Sequence, residues 1–494
     1  MRFRQIILTS ALVPTWIALA ACSAAEPAGG GGSGAASGAN SAGAPSGGTA
    51  TSGGTGPGTG GAASGGTGVG GSSAGGTSAG GTSSGGSTTG GTGSGGAPDT
   101  GDLVGVETPG ANCTVPELLP FGQLTANAKF PNPFTMLDGT PVTTTAQWVC
   151  RNRELSAMLQ RYETGQKTAK PAEVTGSLSG STLTVNVSDG AGKNGSFDVT
   201  ITYPSGGTAP YPAMIGLDGG SLNADRLRQQ GVATISISTA SIRAEGNRNS
   251  GLFTSFTGQS DAGALIAWAW GVSRLIDALE STPGANIKAD RLGITGCSRL
   301  GKGALMVGVM DGRLALVIPQ ESGAGGVAAW RAAEYENQTQ PQGCENPGDT
   351  SRCVQKLSST YTEQAWFGTA IAEFSNNVDR LPVDHHELIA LAAPRGLLAL
   401  GNIDWKWLGR YGSVQGMGGA RKVYEALGVA QNIGFAESNH FHCNSNDFGG
   451  PEQEAIDAFV ARFLLDQDVS TNFWSDGVPL DEARWIDWTT PTLQ

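Results

Sequence analysis

"GITGCSRLGKGALM" spans residues 293–306 and sets a serine among small residues just after a short apolar run. A strand that turns sharply into a helix can lift a serine hydroxyl above a sheet edge, where free N–H groups of the helix face an oxyanion. Such a turn crowds the backbone, so it needs small flanking residues. Gly296 stands two residues before Ser298, and Gly301 three after it. The common nucleophile elbow has its second glycine two residues after the serine. The same letters also suit an ordinary helix cap, in which the hydroxyl accepts from the first unpaired N–H groups. On this stretch alone, nucleophile and cap both stay open.

A nucleophilic serine needs a base for its proton, and the base needs an acid that fixes its tautomer. The chain holds four histidines, His385, His386, His440 and His442. In the order serine, acid, histidine, the base comes from a loop just ahead of the last helix. "SNHFHCNSNDFGG" occupies that place before "GPEQEAIDAFVARFLL", which leaves His440 and His442 in contention. The "VDHHEL" pair lies earlier and reads as structural. Two acids fit the pattern: Glu321 in "VIPQESGAGG", at the end of the next strand, and Asp404 in "GNIDWKWLG", after a later one. Either loop could open at the carboxyl edge of a sheet.

The surrounding sequence supplies such a sheet. "STLTVNVSDG" and "GSFDVTITYPSG" alternate apolar and polar residues between turn signals and predict a hairpin. "YPAMIGLDGGSL", "GVATISIS", "RLGITGCSR", "LALVIPQESGAGG" and "APRGLLALGN" read as buried strands. "GALIAWAWGVSRLIDALE", "KGALMVGVM" and "GPEQEAIDAFVARFLL" carry helical spacing. Alternating strands and helices predict an α/β three-layer sandwich with a mainly parallel central sheet.

The chain divides by composition into 1–22, 23–104 and 105–494. "MRFRQIILTSALVPTWIALAAC" has two arginines ahead of an apolar stretch too short to span a bilayer, and reads as an export leader. It ends in Leu19-Ala20-Ala21-Cys22, which resembles the bacterial lipobox, so Cys22 is the expected lipidation site. Residues 23–104 are nearly all Gly, Ser, Ala and Thr, bury almost no apolar area and read as a flexible linker. About 75 residues of such coil have a root-mean-square span on the order of 45–50 Å. The expectation is an exported protein, lipid-anchored at the outer membrane or cell surface or released as a secreted form. A net charge of −12 without basic clusters argues against nucleic acid as a partner. Beyond Cys22, six cysteines remain, an even number that suits three disulfides in an oxidising compartment. No C-x2-C pair is present and the only close Cys/His neighbours are His442-Cys443, so no metal is expected.

"GCSRLGKGAL" together with "LVIPQESGAGG" resembles the glucuronoyl esterases, carbohydrate esterase family fifteen. "CRNRELSAMLQRYETG", "LPVDHHELIALAAPRGLL" and "WIDWTTPTL" are similar to further stretches of that family in the same order, from about Cys113 to the C-terminus. The resemblance implies an α/β-hydrolase fold and hydrolysis of esters between glucuronic acid on xylan and lignin alcohols, with no cofactor and a monomeric enzyme. It implies Ser298 as nucleophile, Glu321 as acid and His442, directly before Cys443, as base. Asp404 remains the alternative acid. Arg299 would stabilise the oxyanion, while Lys302, Gln355, Glu363 and Trp407 would hold the sugar, with Trp405 as the rival of Trp407. It also implies the disulfides Cys297–Cys443, Cys113–Cys150 and Cys344–Cys353. Two other readings stand beside it: another carbohydrate esterase, such as an acetyl xylan esterase, or a non-catalytic surface-tethered glycan-binding protein.

Overall fold

A computed structural model describes residues 101–339, 353–444, 448, 450–475 and 477–494. The leader with Cys22, most of the linker and the partner Cys344 of the expected third disulfide lie outside these residues.

Nine strands form one sheet: β1 (Glu173–Ser179), β2 (Thr182–Ser188), β3 (Asn194–Thr202), β4 (Tyr211–Leu217), β5 (Ala233–Ile237), β6 (Ile287–Cys297), β7 (Leu314–Gln320), β8 (Gly396–Asn402) and β9 (Ile433–Ser438). Their spatial order is β1-β2-β3-β5-β4-β6-β7-β8-β9. The first three strands and the β3–β5 pair are antiparallel, and every pair from β5 onward is parallel. This is the three-layer α/β-hydrolase sandwich expected from the strand–helix alternation. Two strands lay beyond the sequence reading, β1 and β9. β1 alternates only between exposed and half-buried positions, so it lacks an apolar face to signal it.

Period-2 alternation places one set of side chains on each face of the sheet. Val317, Leu397 and Ala399 join the larger core with Leu265, Trp268 and Leu305. Their neighbours Leu316, Ile318, Leu398 and Leu400 join a second core with Ile456, Phe459 and Val460 of helix Gly450–Phe463. Helix Ala264–Ser281 is buried from Ala264 through Leu279, as an all-round apolar helix must be. Its two buried charges are paired: Arg274 Nε donates to Asp277 Oδ2 at 2.7 Å, and Arg274 Nη2 to Glu107 Oε2 at 2.6 Å. Glu107 belongs to the first described segment, which also ties its Gly105 N–H to the Gly312 carbonyl at 3.1 Å. Leu103 is buried in the core, so packing begins just ahead of the expected boundary at 105.

Four strands end level with one another. Cys297 pairs with Gln320, Gln320 with Leu400, and Asn402 with Ser438. The ladder then continues past the strand ends, with Ser298 N–H donating to the Gln320 carbonyl at 2.9 Å and Glu321 N–H to the Leu400 carbonyl at 2.8 Å. Disulfide Cys297–Cys443 closes this edge, and Cys113–Cys150 fastens the N-terminal segment to helix Thr145–Leu159.

Gly301 accounts for the shifted glycine. A Cβ there would meet the Gln320 carbonyl oxygen at 2.3 Å, and a Cβ on Gly296 would meet the Leu300 carbonyl oxygen at 2.4 Å. The helix therefore leaves the turn hard against β7. Gly301→Ala is expected to lower stability by about 1–3 kcal/mol, as overpacking does. Gly284→Ala, where nothing stands within 4 Å, is expected to be near neutral. Thermal denaturation of the two variants checks the contrast.

Candidate active site

Ser298 occupies the N-cap position of helix Arg299–Met310, yet its side chain makes no capping hydrogen bond. Its backbone sits at φ 58° and ψ −124°, a conformation that costs a non-glycine residue about 1–3 kcal/mol. A serine selected as a cap would take the relaxed extended geometry and spend its hydroxyl on the helix. This one is held in strain with the hydroxyl uncommitted. Glu321 at φ 48° and Cys443 at φ 58° share the left-handed region, so strain gathers on three loops of one sheet edge.

Glu321 and His442 meet directly. The His442 Nδ1–H donates to Glu321 Oε2, which leaves Nε2 as the free basic nitrogen. The other oxygen, Oε1, accepts from the Cys443 N–H at 3.0 Å and from Gln320 Nε2 at 2.9 Å. Glu321 is buried, and its three donors fix the carboxylate in one orientation. Asp404 is exposed beyond β8, and among the described residues its carboxylate bonds to neither His440 nor His442. Between the two candidate acids, the geometry puts Glu321 against the imidazole.

The disulfide adds the third member. Cys297 precedes Ser298 and Cys443 follows His442, and their Cα atoms stand 5.6 Å apart. Cys297, Cys443 and the His442 ring offer donor atoms within 4.8 Å of one another, but the two sulfurs are bonded together and present no thiolate.

In front of this edge lie the polar residues singled out in the sequence. Arg299 Nε donates to Glu245 Oε1 at 2.7 Å, while Trp366 Nε1 donates to Glu245 Oε2 at 2.6 Å. Lys302 is buried and donates to the Ser322 carbonyl at 2.5 Å and to Gln355 Oε1 at 3.4 Å. Gln355 Nε2 donates on to Glu363 Oε2 at 2.7 Å. Burial pushes the Lys302 ammonium down to about 8 against the opposing pull of Glu363. Burial likewise raises the Glu363 carboxyl, with Lys302 working against it. Trp407 and Trp405 both flank His442, with ring centroids at 5.0 Å and 5.3 Å. Trp407 is also tied to the polar group, its carbonyl accepting from the Gln355 N–H at 3.1 Å.

The remaining histidines divide. His385 and His386 are buried on helix His385–Ala390, away from solvent, with His385 held by Glu163 and the Gly326 carbonyl and His386 stacked on Phe130 at 4.6 Å. His440 lies behind Glu321. Sequence reasoning missed Glu245, Trp366 and Glu452, which carry no motif and reach the site only through the fold.

A family profile described as "Glucuronyl esterase, fungi" matches residues 185–428. The 4-O-methyl-glucuronoyl methylesterase of Hypocrea jecorina is 45% identical over 392 residues, 78% of this chain and 80% of the relative. The solved glucuronoyl esterase catalytic domain from Hypocrea jecorina is similar with a TM-score of 0.70 at 44% identity, over 77% of this chain and 100% of that one. A serine-to-alanine mutant of the glucuronoyl esterase from Sporotrichum thermophile, solved in complex with methyl 4-O-methyl-beta-D-glucopyranuronate, gives 0.69 at 38% identity, over 77% and 100%. Sheet order, turn and sequence likeness agree: the chain belongs to the glucuronoyl esterase family, carboxylic ester hydrolases on the α/β-hydrolase fold.

Proposed function

We propose that the chain cleaves esters between the C6 carboxyl of glucuronic or 4-O-methyl-glucuronic acid on xylan and alcohols of lignin, through an acyl-enzyme on Ser298. The observation that carries this reading is the Glu321–His442 hydrogen bond, set beside a disulfide that ties the base loop to the nucleophile turn. A serine with a base and an oriented acid is chemistry that a binding module does not need. The methyl glucuronate ester bound by the Sporotrichum relative supports a uronate ester over an acetyl group.

In this mechanism the Ser298 oxygen attacks the C6 carbonyl as its proton passes to His442 Nε2. Glu321 holds the imidazole tautomer and stabilises the imidazolium. The developing oxyanion meets the unpaired N–H groups at the start of helix Arg299–Met310 and the Arg299 guanidinium, whose Nε is anchored by Glu245. The ester C–O bond breaks, and the alcohol leaves with the proton from His442. Water then gives a proton to His442, attacks the acyl-enzyme, and releases the uronic acid and Ser298. Lys302, Gln355 and Glu363 form a chain of hydrogen-bonding groups suited to sugar hydroxyls, and Trp407 offers an apolar wall. Matched donors and acceptors of this kind discriminate sugars more strongly than apolar contact does.

The wider reading covers residues outside those described. Residues 1–22 are read as an export leader ending at Cys22 for lipidation, and 23–104 as a linker carrying a monomeric esterase domain, 105–494, at the cell surface or outer membrane. Among the described residues, no helix is long and apolar enough to cross a membrane.

Release of acid from benzyl glucuronate, with acetylated xylan as control, tests the proposal. Ser298→Ala is expected to lower kcat by about 10⁴–10⁶-fold. Glu321→Gln is expected to lower it by about 10³–10⁴-fold, whereas Asp404→Asn leaves it within about threefold. Turnover of acetyl groups alone would overturn the substrate assignment. A second measurement follows KM with pH. Lys302 loses its charge as pH rises through about 8, so KM is expected to climb there. In Lys302→Met, KM is expected to start high and stay flat over the same interval.

A further inference from the structure

His440 takes no part in the steps above, yet it is enclosed between two carboxylates. Its Nδ1 stands 3.7 Å from Glu321 Oε1, and its Nε2 stands 3.5 Å from Glu452 Oε2; all three side chains are shut off from solvent. Three elements converge on it: Glu321 from the end of β7, Glu452 from helix Gly450–Phe463, and Asn402 from the end of β8. Asn402 Nδ2 donates to the His440 carbonyl at 2.9 Å, so that amide is already engaged with the backbone. Nδ1 lies 3.0 Å from the Phe441 carbonyl, which can only accept, and 3.3 Å from Asn402 Nδ2, whose closer partner is the His440 carbonyl. The Ser438 hydroxyl donates to Glu452, and Phe448 packs on the imidazole at 5.5 Å. Among the described residues, the only titratable groups facing the ring are the two glutamates.

Two buried carboxylates this close repel each other, and one would take up a proton unless a cation stood between them. We propose that His440 is a positioning residue for the hydrolysis: as an imidazolium clamped between Glu452 and Glu321, it holds Glu321 in place and keeps the Glu321–His442 pair from capturing a proton in mildly acidic surroundings.

The ionisation of the surroundings agrees. Burial works to lower the His440 pKa, but Glu452, the Phe441 carbonyl and Glu321 together outweigh it and lift the group to about 9. The imidazole therefore stays charged at neutral pH and below, and loses its charge only as pH rises through about 9. Glu452 is raised chiefly by burial, with His440 and Ser438 pulling it back and Glu321 adding to the rise. A positive charge behind Glu321 weakens the hold of the Glu321–His442 pair on a proton.

The inference rests on the triad reading, so wild-type protein and Ser298→Ala are assayed first on benzyl glucuronate. A wild type without turnover sinks the triad reading; the His440 question is decided only by the pH profiles of the variants. His440→Gln removes the charge and keeps donor capacity. The acid limb of kcat/KM is expected to move up by about 1–3 units, with KM on the plateau unchanged because the ring touches no substrate. Glu452→Gln removes the group that does most to keep His440 charged, so the same limb is expected to move up, as in His440→Gln. An acid limb that stays put in His440→Gln, even with a lowered melting temperature, would reduce the residue to a structural part and overturn the proposal. If His440→Gln does not fold, Glu452→Gln decides alone: an upward shift supports the proposal, and an unmoved or lowered limb overturns it.

Discussion

The Cys297–Cys443 bond runs from the end of β6 to the loop beyond β9, across the two strands that lie between them. It closes a separation of 146 residues, which the chain-entropy account values at about 5 kcal/mol before any strain in the native state. Stability is the smaller part of its effect. The bond fixes the loop that carries His442 against the turn that carries Ser298. β7 supplies Glu321 from between them, anchored by its backbone to β8 and by its carboxylate to the Cys443 N–H. The Ser298 turn, Glu321 and the His442 loop thus become one unit without a helix or strand running through all three. A site preorganised in this way spends little reorganisation energy when charge develops.

Charge is sorted by depth around that unit. On the buried side, Glu321 and Glu452 each stand within 4 Å of the His440 ring that lies between them. On the open side, Arg299 pairs with Glu245, and Lys302 is linked through Gln355 to Glu363. Each basic group toward substrate has an acidic neighbour, so the pocket offers directed hydrogen-bond donors rather than a broad positive field. A uronate ester is neutral at the reacting carboxyl, and such a pocket suits it better than it suits a free uronate anion. Lys302 makes the point locally. Buried and lowered to about 8, it gives up its proton more readily than a surface lysine while its ammonium donates to Gln355 and the Ser322 carbonyl.

Much of this was legible in the residues, and the parts that were not have physical causes. Strands β2 to β8 announce themselves by alternation or by short apolar runs, because each has at least one face in a core. β1 lies at the sheet edge with polar faces, and β9 is six residues long, so neither signals itself. Helix Arg410–Ala426 is also hidden, since its glycines at 412, 416, 418 and 419 pack too closely on neighbours to carry an apolar stripe. In the site, the spacing around Ser298 left cap and nucleophile equally open. The unspent hydroxyl and the positive φ favour the second, and neither can be read from letters. His440 and His442, two residues apart, looked interchangeable; one faces Glu321 from the open side and the other from behind, a difference made by a single turn of loop. Glu452 looked like any acidic residue at a helix start, because only the tertiary fold brings it to His440.

The first described segment is held at the end of the sheet away from Ser298. Helix Arg299–Met310 starts at the serine and runs back along β6, so Gly312 lies at the amino end of the parallel strands, and Gly105 is hydrogen-bonded there. Glu107, paired with Arg274, and the buried Leu103 clamp the chain at this end. The esterase edge is at the other. A pull applied to the chain at Leu103 is therefore borne by an ion pair and a core leucine, a full strand length from the reacting groups.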